Sequence, residues 1–321
     1  MIVENKPQTI SKLPVLDVLD TRLNALRSDL ADIRLKSKFD AVNYTTGKAG
    51  IVCEPVVDVK SDSDPDSDNI HQLLFGEGVW VFEDCNDRKW VQSLVDGYVG
   101  YVASQAISLE LTSSGQGSEP NHIPSPAHAP THIVSVPMTF CYPKAELRNP
   151  PLYSLSMGSR VTIKSYQEVR GTKYAILTGG GALIEKHLIE IDNFHSDYVD
   201  VCESLLNTPY LWGGSSALGI DCSSLVQLSM RMCGKQVLRD SEMQAATIGS
   251  ELEPGENLQN LQRGDLIFWR GHVAVHQGIV EGVPFIIHSS GHTMNVAAEP
   301  MHPAIERIAY LYENPIGYRR P

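Results

Sequence analysis

Residues 210–244 read YLWGGSSALGIDCSSLVQLSMRMCGKQVLRDSEMQ. Gly213, Gly214 and Gly219 break the chain, and Asp221-Cys222-Ser223-Ser224 then opens a run in which Leu225, Val226, Ser229, Met232 and Cys233 fall on one helical face. The spacing predicts a buried helix over 222–233. A cysteine at a helix start feels the positive end of the macrodipole, which favours thiolate over thiol. That is a physical reason to read Cys222 as a nucleophile. Cys53, Cys85, Cys141, Cys202 and Cys233 sit in apolar or turn contexts and read as packed residues.

A nucleophilic thiol needs a base, and the base needs an orienting partner. Residues 264–275 read GDLIFWRGHVAV. A hairpin at Arg270-Gly271 places His272 at a strand start, and strand alternation puts His272, Ala274, His276 and Gly278 on one face. His276 stands ~13 Å along the strand from His272 and reads as structural. The next strand, within 284–289, carries His288 on the same face as Ile286.

Outward from this window the order is α+β: a helix at 197–206, the helix at 222–233, then strands over 265–269, 273–280 and 284–289. Upstream the texture is β. Residues 46–112 hold short apolar runs such as Gly78-Val79-Trp80-Val81-Phe82, divided by SDSDPDSD at 61–68 and by Asp96-Gly97. Residues 113–131 are rich in Ser, Pro, Gly and His and read as a linker. A second β-rich stretch covers 132–192, and the α+β part covers 193–321. In the N-terminal segment, 1–45, the spacing of Leu19, Leu23, Leu26, Leu30 and Ile33 predicts an amphipathic helix over 16–35.

The chain has 321 residues, with 38 acidic against 26 basic and a formal net charge of −12. That balance argues against a protein built around a phosphate backbone, so no nucleic-acid partner is expected. It suits a ligand that carries a cationic group. No stretch approaches 18 uncharged apolar residues, and no membrane partner is expected. The first thirty residues hold no basic region followed by an apolar run, so the expected location is the cytoplasm. The six cysteines include no CxxC pair, and neither a zinc finger nor any other cofactor is expected.

Together, Tyr210-x-Trp212-Gly213-Gly214, Gly219-x-Asp221-Cys222-Ser223, Gly264-Asp265-Leu266, His272-Val273 and His288-Ser289 resemble the NlpC-type cell-wall cysteine peptidases. The resemblance covers about 195–321 and implies a papain-like domain. It implies Cys222 as nucleophile, His272 as general base, His288 as the group orienting it, and Tyr210 beside the oxyanion. Arg239-Asp240-Ser241-x-x-Gln244 resembles the signature of a subgroup, the γ-D-glutamyl-L-diamino acid endopeptidases of the dipeptidyl-peptidase VI type. Members of that subgroup carry SH3-like domains ahead of the catalytic domain, so the two β stretches are expected to be small SH3-like barrels. The resemblance also implies that Glu77, Tyr98, Asp221, Ser223, Asp240 and Ser241 bind substrate, closing the cleft around the free amine of an N-terminal L-Ala. The implied partners are murein peptides such as L-Ala-γ-D-Glu-diaminopimelate, met in cell-wall peptide recycling.

Three other readings stand beside this one. A secreted hydrolase of intact peptidoglycan is the rival within the enzyme class. A non-catalytic wall-binding protein would have lost Cys222 or His272, and both are present. A metal site of Cys222, His272 and His288 lacks a close ligand pair.

Overall fold

The computed structural model describes residues 12–14, 19–109 and 129–321. The chain divides into two compact units, one of Val15–Ile191 and one of Asp192–Pro321 together with the described residues 12–14.

The first unit holds two β modules. In the first, seven strands between Lys48 and Leu109 form one sheet. Its strands alternate: Val57 and Val59, and Val79 and Val81, turn inward to a valine-rich core with Leu73 and Val102. The Gly78–Cys85 and Arg88–Ser93 strands pair with Val81 opposite Val91, which fixes the register that buries this set. The second module, from His132 to Glu190, is built of three small sheets around Val134, Leu155, Val161 and Leu183. The modules meet where the Arg160 N–H donates to the Phe75 carbonyl at 2.8 Å and the rings of Phe75 and Tyr153 stack at 5.9 Å. Gly76 lies at that contact with φ +76°, and a Cβ there would come within 2.1 Å of the Arg160 carbonyl oxygen. Only glycine fits both demands.

The expected helix over 16–35 does not form in the described part of that range, 19–35. Residues 19–29 run as turns, Leu30–Asp32 is a strand parallel to Asn43–Thr45, and Ile33–Leu35 is a single 3-10 turn. The backbone groups a helix would use are taken by the first β module. Val99 N–H donates to the Arg22 carbonyl and the Gln92 amide donates to the Leu23 carbonyl, each at 2.8 Å. Arg27 donates to Glu83 and to the Tyr101 hydroxyl, each at 2.7 Å. The leucine spacing is real, but these residues serve as a strap whose Ala25 and Leu26 are buried. Residues 16–18, and 113–128 of the expected linker, lie outside the described residues.

The second unit is α+β. Its sheet has six strands in the order Ser250–Glu251, Gly317–Arg320, Leu266–Trp269, His272–Val280, Val283–Ser290 and Asn295–Pro300. The turn at Arg270-Gly271 is a two-residue hairpin, with Gly271 at φ 76° and Trp269 opposite His272. Four helices accompany the sheet: α1 Tyr198–Ser204, α2 Cys222–Arg231, α3 Ser241–Thr247 and α4 Met301–Tyr312. From Cys222 to Met230 every residue of α2 is buried. Ile267, Trp269, Ala274 and Ile286 pack with Met301, Ala304 and Ile308 of α4. Asp265 accepts a two-pronged contact from Arg320, at 2.8 and 2.6 Å, so the Gly264-Asp265-Leu266 motif is tied to the neighbouring last strand. Among the described residues no helix is long and apolar enough to cross a membrane.

Candidate functional site

Cys222 is the first residue of α2, and Asp221 is its N-cap, accepting the Ser224 N–H at 2.8 Å. The Cys222 Sγ lies 3.9 Å from the carbonyl oxygen of Gly271, so the thiol meets the sheet at the hairpin immediately before His272. His272 and His288 come from adjacent strands of the sheet. The His272 Nε2 and His288 Nδ1 are 2.8 Å apart. His272 also lies beside the Trp269 ring at 5.6 Å and is stacked under Tyr312 at 6.0 Å. His276 is buried four residues along the strand and takes no part in this hydrogen-bonded chain; its backbone N–H donates to the Asp265 carbonyl at 2.7 Å.

Two residues that the sequence reading does not single out extend the chain. His288 Nε2 lies 3.0 Å from the Glu299 carboxylate, and Glu299 is gripped by Arg307 of α4 at 2.6 and 2.9 Å. Register explains the placement. Ile286 lies opposite Glu299 and His288 opposite Ala297, so Glu299 is the diagonal neighbour of His288 on one face. Tyr312, the ring over His272, lies five residues beyond Arg307 on the same helix.

The electrostatics differ from the sequence expectation. Burial pushes the Cys222 thiol up to about 12, and the neighbouring Asp221 carboxylate adds to it. Burial also pushes His272 down to about 3, with His288 and Arg307 contributing. The helix start does favour the thiolate, but burial and an adjacent carboxylate outweigh it. At rest the site therefore holds a neutral thiol and a neutral imidazole. Glu299 is held down to about 2, first by His288 and also by Arg307.

Asp221 is held by contacts within the site. Arg239 contacts both of its oxygens, at 3.1 and 2.5 Å, and Gly213 N–H, Ser224 N–H and the Ser223 hydroxyl donate to it as well. Five donors therefore converge on this carboxylate. Ser223 also accepts from Arg239 at 2.8 Å. Gln244 of α3 donates to the Ser223 and Leu238 carbonyls at 2.9 Å each, tying α3 to the first turn of α2. The Arg239-Asp240-Ser241-x-x-Gln244 motif is thus in part the scaffold of the cysteine. Asp240 precedes α3 without capping it, and Ser241 is the buried first residue of α3.

Tyr210 bridges Ile220 beside the nucleophile turn, and its phenol is pushed up by burial and by Cys222 and Asp221. Glu77 and Tyr98 belong to the other compact unit. Glu77 is buried and accepts the Leu74 N–H at 3.0 Å; Tyr98 is buried edge-on against His71 at 5.3 Å. His71 in turn pairs with Asp96 at 2.9 Å. Among the described residues no group of three or more His, Cys, Asp or Glu side chains is arranged to hold a metal ion.

Residues 207–310 match the NlpC/P60 family, and residues 61–107 match the bacterial dipeptidyl-peptidase Sh3 domain. Dipeptidyl-peptidase 6 of Lysinibacillus sphaericus is 33% identical over 37% of this chain and 42% of its own length. The chain thus spans under half of that curated relative. Gamma-D-glutamyl-L-lysine dipeptidyl-peptidase of Bacillus cereus is 24% identical over 72% of this chain and 70% of its own length. The crystal structure of an NlpC/P60 family protein from Bacillus cereus aligns with a TM-score of 0.64 at 20% identity, covering 85% of this chain and 99% of that one. The chain is therefore similar to the NlpC/P60 family over 207–310 and to the bacterial dipeptidyl-peptidase Sh3 domain over 61–107, and it shares the mixed helix-and-sheet fold of the Bacillus cereus structure.

Proposed function

We propose that the protein is a cysteine peptidase that hydrolyses the γ-D-glutamyl–diaminopimelate bond of murein peptides such as L-Ala-γ-D-Glu-diaminopimelate. The observation that carries this reading is the meeting of Cys222, at the start of a buried helix, with the hairpin that presents His272 and its partner His288. Cys222 attacks the γ-carbonyl as its proton passes to His272. Backbone N–H groups at the α2 start and the Tyr210 hydroxyl hold the oxyanion. The imidazolium then protonates the leaving amine, and water releases L-Ala-D-Glu from the thioester. Two relatives named as dipeptidyl-peptidases and the Sh3-domain match support a preference for peptides with a free amino terminus. Such peptides arise after release from the wall, which suits a role in recycling inside the cell.

The test is incubation with the tripeptide, its N-acetyl form, the lysine analogue and intact sacculi, with products read by mass spectrometry. The free tripeptide is expected to exceed the acetylated one by at least ~100-fold in kcat/KM, about 2.7 kcal/mol. Cys222→Ser should abolish turnover without unfolding the protein. Equal rates on free peptide and sacculi, or an active serine variant, would overturn the reading.

A further inference from the structure

We propose that Glu299, gripped by Arg307, is a positioning residue that sets which ring nitrogen of His272 serves as the base. The proposal rests on the reading of Cys222 and His272 as nucleophile and base, and deepens it.

The argument is one of donors and acceptors. An ionised carboxylate only accepts and a guanidinium only donates. Arg307 supplies two of its N–H groups to the two oxygens of Glu299, at 2.6 and 2.9 Å. The His288 Nε2 facing Glu299 Oε1 at 3.0 Å must then carry hydrogen. A neutral imidazole has one N–H, so His288 Nδ1 is bare and accepts. Its neighbour at 2.8 Å, His272 Nε2, must donate. That leaves His272 Nδ1 bare, as the one ring nitrogen able to take the Cys222 proton. With the opposite arrangement Nδ1 would already carry hydrogen and His272 could not act as a base.

During attack the S–H bond breaks, the sulfur pair forms the C–S bond, and the proton moves to Nδ1. Nε2 keeps its hydrogen throughout. No proton needs to travel to Glu299; the carboxylate fixes the tautomers and faces the new positive charge through His288.

Removing the acceptor separates this role from packing. Glu299 Oε1 takes a contact from Arg307 at 2.9 Å and one from His288 Nε2 at 3.0 Å, so the pair is replaced together. In Glu299→Leu with Arg307→Met nothing accepts from His288 Nε2, and the tautomers are no longer fixed. In Glu299→Gln with Arg307→Met the amide oxygen can still accept there. The experiment records nitrogen chemical shifts of His272 and His288 in protein that also carries Cys222→Ser, together with kcat and KM of the active forms. The parent should have hydrogen on Nε2 of both rings. Glu299→Leu with Arg307→Met should move part of it to Nδ1 and lower kcat at least about ten-fold, with KM within about three-fold. Glu299→Gln with Arg307→Met should keep hydrogen on Nε2 and regain most of the lost kcat. Loss of activity with unchanged tautomers overturns the proposal, as does unchanged activity. If Glu299→Leu with Arg307→Met does not fold, the parent spectrum decides: hydrogen on His272 Nδ1 overturns the proposal and hydrogen on Nε2 upholds it. The spectra need no turnover, so failure of the murein peptide as substrate is distinguished from failure of the relay.

Discussion

Cys222 and His272 are both neutral at rest because both are buried, and this has a kinetic signature. The pH dependence of kcat/KM reports groups of the free enzyme. His272 must be unprotonated to accept the thiol proton, and its value is held down to about 3. The acid limb of kcat/KM is therefore expected below pH 5, displaced from the ordinary imidazole range. A profile of initial rates between pH 4 and 8 checks this, and a midpoint near 6.5 would contradict it. The placement of the two side chains is legible in the sequence because both signals are local: Asp-Cys-Ser at a helix start, and a histidine just after a two-residue turn. Its charge state is not, because burial belongs to the folded molecule.

The elements that hold the pair are less legible. Leucines spaced for a helix at 19–33 form a strap instead, since hydrogen bonds offered by the β module are absent from any local pattern. Glu299 and Arg307 reach the site through strand register and through α4, each set by pairing across the sheet. Arg239 is recognised in a motif, but its contact with Asp221 comes only from the packing of α2 and α3. That contact gives a stability prediction. The Arg239 side chain is 2% exposed and Asp221 11%, so Arg239→Ala leaves a buried charge without its guanidinium. The expected loss is about 3–5 kcal/mol in urea unfolding. Arg239→Lys, which keeps the charge and loses the fork, should cost less. Equal stability of all three proteins would show that the pair contributes nothing.

For the whole molecule, the same groups couple folding to pH. His272 binds a proton near its ordinary 6.5 when unfolded and near 3 when folded, so between these values unfolding takes up a proton. Stability must fall as pH drops through that window. Glu299, ordinarily 4.5 and here about 2, acts with the same sign at lower pH. Calorimetry from pH 7 to 4 should record a falling Tm for the second unit, and His272→Gln should flatten the upper part of the fall. A Tm that rises on acidification would contradict the assignment. The protonated thiol has one more consequence. Peroxide attacks thiolates, which makes sulfenic acid formation slow at a cysteine that stays neutral until substrate arrives. Cys53 is exposed, whereas Cys222 is buried and pushed up to about 12. On the proposed reading the nucleophile is thereby guarded against oxidative damage between turnovers, while the exposed Cys53 sulfur is open to the oxidant.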